Sequence, residues 1–118
     1  FFLYLENDDI CLRIKKKNEY IYVVTDSLIN HKGGINKNKQ FEYLRNWHWM
    51  WSKFYFNKKH YGYLIAIIKV LGNFFSAVIK FLYYSITFNN FKKKIYQMRL
   101  SGLLNSIIGK KSFYRPKL

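Results

Sequence analysis

Residues 61–88 are the most apolar stretch of this 118-residue chain, long enough to cross a bilayer yet interrupted by Lys69 and Lys80. At 100° per residue, Lys69, Asn73, Ser76, Lys80 and Thr87 fall on one narrow stripe, and the remaining faces are almost wholly apolar. Such a helix has to be covered over most of its circumference, by protein or by lipid. Two lysines near mid-bilayer would each cost about 2.5–3.5 kcal/mol on insertion scales. A helix or helical hairpin lying in a membrane interface therefore fits better than one crossing it, with a buried protein helix and a transmembrane span as the alternatives.

The flanking segments extend the same theme. From Gln40 onward the pattern is helical and aromatic: Phe41, Tyr43, Trp47, Trp49, Trp51, Phe54, Tyr55 and Phe56 occupy nearly every side. Trp and Tyr favour the headgroup zone of a bilayer. After Asn89-Asn90 come Lys92-Lys93-Lys94 and a further helix through Met98, Leu103 and Ile107, which Gly109 is placed to stop. Twenty-one Lys and Arg against six Asp and Glu leave a net charge of +15, a balance attracted to anionic lipid and other polyanions. Arginine occurs at only four positions and the aromatics sit on apolar helices, so nucleic acid is not the expected partner.

The N-terminal third reads differently. Residues 6–17 predict a short helix, with Asp9 and Arg13 paired at i,i+4 and Lys15-Lys16-Lys17 in its last turn. Residues 20–24 and 28–31 predict two short strands, with Thr25-Asp26-Ser27 as the turn between them. Residues 32–39 read as a polar, glycine-containing loop. The chain thus divides into a piece over 1–39 and a helical, membrane-associated piece over 40–118. The one cysteine, Cys11, excludes an internal disulfide and is expected as a small buried side chain.

Half of all the acidic residues, Glu6, Asp8 and Asp9, lie in the octet Glu6-Asn7-Asp8-Asp9-Ile10-Cys11-Leu12-Arg13. Adjacent carboxylates repel unless they share a cation or a proton, and one raised in proton affinity can serve as a general base. An ordinary solvated helix start with one salt bridge is the plainer account. His31, before Gly33-Gly34, could ligate a divalent metal through a neutral imidazole. His48 and His60 have no acid near them in sequence and are assigned no chemistry.

Taken together, aromatic-aromatic-x-Tyr-x-Glu-Asn-Asp-Asp-Ile-Cys-x-Arg, a strand, and then x-x-His-x-Gly-Gly resemble the C-terminal part of the catalytic domain of family 2 glycosyltransferases, nearest to rhamnosyltransferase-like bacterial members. The likeness covers residues 1–34, with Arg45-Asn46 and the aromatics after it similar to the family's following helix. It implies an α/β class: the end of a GT-A, Rossmann-like domain with one short helix and two short strands, followed by an α-helical extension. It implies that Glu6, Asp8 and Asp9 are acceptor-side carboxylates and that His31 helps hold Mg²⁺ or Mn²⁺ on a nucleotide-sugar donor. It implies a lipid-linked or polysaccharide acceptor and a place at the cytoplasmic face of the cell membrane. The nucleotide-binding half and its Asp-x-Asp motif would precede Phe1, and this piece alone is expected to be inactive. One departure stands out: many inverting relatives carry the base immediately after the glutamate, where this chain has Asn7, and an amide cannot take up the proton. The rival expectation is a non-enzymatic basic protein that binds the membrane surface.

Overall fold

The structure, a computed structural model, describes residues 3–30 and 38–115. Four helices follow one another: α1 (Glu6–Lys16), α2 (Lys39–Tyr61), α3 (Tyr63–Ile86) and α4 (Asn90–Ile107). The local code explains their ends. Asn38 caps α2 by accepting from the Gln40 N–H at 2.9 Å, and Asn89 caps α4 by accepting from the Lys92 N–H at 3.1 Å. α4 stops where Gly109 takes φ +78, with the Lys110 N–H bonded to the Asn105 carbonyl. Asn18 and Phe88 play the same left-handed role after α1 and α3. Gly62, at φ +88, breaks what would otherwise be one continuous α2–α3 rod.

Helices α2, α3 and α4 pack together around Met50, Phe54, Ala66, Val70 and Leu103. Trp47, Trp51 and Met98 form a second buried cluster between α2 and α4. The closest approach is at Gly102, where a Cβ would stand 2.2 Å from the Trp47 carbonyl oxygen. Small hydroxyls complete that seam: Ser106 Oγ donates to the Trp51 carbonyl at 2.9 Å, and the Trp47 indole donates to Ser101 Oγ at 3.2 Å.

The α/β expectation is overturned. The chain is a helical bundle, with no strand among the described residues. The turn at Thr25-Asp26 forms, but residues 20–24 and 28–30 have no ladder partner, and Tyr22, Val23, Leu28 and Ile29 are almost fully exposed. β-branched and aromatic composition describes how well a segment fits a sheet, and a ladder also requires a neighbour's N–H and C=O groups. Here α2–α4 pack on one another and offer no sheet edge. Cys11 is likewise corrected: it lies on the exposed side of α1.

α3 turns one face to the bundle and the opposite face outward. Ala66, Val70 and Ala77 face the bundle, while Leu64, Ile68, Leu71, Phe75, Ile79, Leu82 and Ile86 point outward. The polar stripe runs along the edge of the buried face: Asn73 is half-buried, and Lys69, Ser76, Lys80 and Thr87 are exposed. Lys53 of α2 reaches Asn73 at 2.8 Å, Lys69 sits 3.9 Å from the Tyr61 ring centroid, and Lys80 sits 5.6 Å from that of Tyr96. α3 is long and apolar enough to cross a membrane, and little of it is buried within the chain.

Candidate functional site

The acidic octet is docked on α2 through its one buried residue, Asp9. Arg13 Nε lies 3.0 Å from Asp9 Oδ2, Lys59 Nζ 2.8 Å from the same oxygen, and His60 Nε2 2.8 Å from Oδ1. Burial by itself would raise the Asp9 carboxyl, but hydrogen bonds from Lys59 and His60, the Lys59 charge and Arg13 outweigh it and hold it at about 2. A carboxylate so held is a poor proton acceptor, so the position is an anchor rather than a base. Of the three candidate carboxylates, Glu6 and Asp8 remain: both are exposed on the first turn of α1, with no ionic or hydrogen-bond partner among the described residues. The structure therefore does not gather the three into one cluster.

The lead into α1 is strained. Tyr4 and Leu5 both take left-handed backbone angles, φ 69 and φ 63, which L-residues adopt at a cost of about 1–2 kcal/mol each. Contacts to α2 hold the turn in place. The Arg45 guanidinium donates through Nε to Tyr4 Oη at 2.7 Å, the Tyr4 ring meets Trp49 edge-on at 5.4 Å, and Ser52 Oγ donates to the Leu3 carbonyl at 2.8 Å. Tyr4, and after it Glu42, push the Arg45 pKa upward, so it is charged at any pH of interest.

Beside this turn is a cavity of about 310 Å³ lined by Tyr4, Glu42, Arg45, Asn46, Trp49 and Arg99. Glu42, Arg45, Asn46 and Trp49 share one face of α2 by their i, i+3, i+4, i+7 spacing. Arg99 comes across from α4, its Nε donating to Asn46 Oδ1 at 2.7 Å.

His31 lies outside the described residues. Among the described residues no group of three or more His, Cys, Asp or Glu side chains could hold a metal ion. The nearest approach to one, Asp9 with His60, is filled by Lys59 and Arg13. These residues do not fit a divalent cation.

Sequence reasoning found the Asp9–Arg13 pair, which is local, and missed Lys59 and His60, which stand about fifty positions away. The available signal was electrostatic: a lone acidic cluster in a chain of net charge +15 must meet cations, although charge alone does not say which. His48 was also missed. It is fully buried beside the C-terminal segment, where its Nε2 contacts the Tyr114 carbonyl at 2.9 Å and its Nδ1 contacts Ser112 Oγ at 3.0 Å. Burial lowers its pKa, so it serves as a neutral clamp. No protein-family model, curated protein or solved structure matches this chain.

Proposed function

We propose that this chain is the acceptor-side, membrane-facing part of a glycosyltransferase that moves a sugar from a nucleotide-sugar donor to a lipid-linked or polysaccharide acceptor at the cytoplasmic membrane face. The observation that carries the reading is one of placement. The helix bearing the acidic octet is locked through Asp9 and Tyr4 onto the same bundle whose α3 turns an apolar face outward. In this reading the bundle carries both the membrane contact, through α3, and the acceptor-side carboxylates, on α1.

In this reading α3 lies on the membrane rather than across it. Lys53 of α2 is hydrogen-bonded to Asn73 at the middle of α3, so a spanning α3 would draw that cation to mid-bilayer. An in-plane helix keeps the lysines at its flank out of the apolar layer and sinks only its outer face. The net charge of +15 adds attraction to anionic headgroups.

Glu6 and Asp8 are the carboxylates free to take the acceptor hydroxyl proton as its oxygen attacks the anomeric carbon and the nucleoside diphosphate leaves. A divalent cation on that diphosphate, held through His31, stays part of the reading, without ligands from the described residues. The test is sugar transfer by the full-length protein carrying this chain. Glu6→Ala or Asp8→Ala should lower kcat at least about a hundredfold, at the lower end of general-base effects, with vesicle binding unchanged. Near-normal turnover in both removes the catalytic role.

The second reading, a non-enzymatic membrane-surface protein, is favoured by the bare outer face of α3 alone. Calorimetric titration with nucleotide sugars and Mg²⁺ or Mn²⁺ separates the two, because only the transferase should respond.

A further inference from the structure

The cavity between α2 and α4 has the make-up of a ligand site. Two of the four arginines in the chain line it, together with a carboxylate, an amide, a phenol and an indole. Both guanidinium groups are held in place by their neighbours. Arg45 uses Nε on Tyr4 Oη and Nη1 on Glu42 Oε1 at 3.0 Å. Arg99 uses Nε on Asn46 Oδ1 and lies 5.2 Å from the Tyr96 ring centroid. Asn46 is itself fixed, because its Nδ2 donates to the Glu42 carbonyl at 2.8 Å. Nη2 of Arg45 and both Nη groups of Arg99 take no part in these bonds, and both residues line the cavity. Planar forks of that kind match phosphate oxygens.

The rest of the lining suits a sugar. Trp49 is the exposed tryptophan of the three, and its indole N–H has no partner among the described residues, whereas those of Trp47 and Trp51 are bonded to Ser101 and Lys110. An indole face covers the apolar side of a pyranose ring, and Glu42 keeps one carboxylate oxygen available to accept from a hydroxyl. The carboxylate also offsets one of the two guanidinium charges, leaving the cavity with a net single positive charge.

We propose that this cavity binds a phosphorylated sugar, with the phosphate or diphosphate between Arg45 and Arg99 and the ring against Trp49. The transferase reading guides only the choice of probes; binding here requires no turnover, so either idea can fail without the other.

The experiment is a titration of the full chain in detergent with glucose 1-phosphate, a nucleoside diphosphate-glucose, an isoprenyl diphosphate-sugar, inorganic phosphate and sulfate. The three indole N–H resonances are followed, with that of Trp49 assigned by its loss in Trp49→Phe. Expected is a saturable shift of the Trp49 signal by at least one sugar phosphate, with affinity tenfold or more above inorganic phosphate and sulfate. The nucleotide-linked and lipid-linked arms identify which source the site accepts. Arg99→Gln should weaken the shift tenfold, and Trp49→Phe should reduce the preference for sugar phosphate over phosphate, followed for that variant by calorimetry. No shift of the wild-type Trp49 signal with any probe overturns the proposal. So does equal response to sulfate and sugar phosphate, which would mean general attraction to a basic surface. Helical circular dichroism of Arg99→Gln separates loss of the site from loss of the fold.

Discussion

Asp9 shows how one residue can change meaning with its surroundings. In sequence it is one of three clustered carboxylates; in the fold it is the buried link between α1 and the end of α2. Its carboxyl, at about 2 rather than 3.8, stabilises the folded state fully above the ordinary value. That contribution is lost as pH falls from about 4 through 2 and amounts to at most about 2 kcal/mol, since Lys59 and Arg13 are partly exposed and screened. Asp9→Asn should lower stability by about 1–3 kcal/mol, read by urea unfolding at pH 7. It should also flatten the stability profile between about pH 4 and 2, because the titrating group is gone. The i,i+4 pairing with Arg13 was legible in the sequence; the meeting with Lys59 and His60 was not, since nothing local specifies a contact across fifty positions.

At the scale of elements, the helices follow from periodicity and caps, and their packing depends on two backbone positions. Gly102 admits the Trp47 carbonyl so closely that a methyl group has no room. Gly102→Ala should force α2 and α4 apart and lower stability by about 1–3 kcal/mol, measured as a fall in thermal midpoint. Phe88 is the opposite case: it closes α3 at φ 54 with an almost fully exposed side chain. Phe88→Gly should stabilise the α3–α4 turn by about 0.5–1 kcal/mol by removing the left-handed penalty, as seen in the same melt. The two expected strands failed at this scale. Residues 20–24 and 28–30 have strand composition, but hydrogen-bonded pairing is a property of two segments, and the described chain supplies only one side.

For the whole molecule, the distribution of apolar surface is the main finding. The bundle turns leucine, isoleucine and phenylalanine outward along α3 and holds that helix's lysines near its own tyrosines, which is the surface the proposed membrane contact would use. Replacing both Ile68 and Ile79 by Asp should leave the helical content unchanged, since both side chains are exposed. Binding to anionic vesicles in a flotation assay should fall at least about tenfold, a loss of roughly 1.4 kcal/mol. Wild-type binding should weaken as salt is raised, as a charge of +15 requires. Unchanged flotation of the double variant would remove the outer face of α3 from the proposed membrane contact.

The sequence alone determined what depends on near neighbours. It set the helix over α1 with its Asp9–Arg13 pair, the aromatic helix after Gln40, the polar stripe of α3 and the stop at Gly109. These are consequences of 3.6-residue periodicity, i,i+4 spacing and the conformational freedom of glycine, all of which act within a few residues. Tertiary structure decided which way the stripe on α3 faces, which cations hold Asp9, whether candidate strands find a partner, and that Arg45 and Arg99 line one cavity. Each of those depends on groups brought together from distant parts of the chain. Burial and pairing free energies exist only once the partner is in place, so a linear reading can say that a partner is needed but not which one arrives.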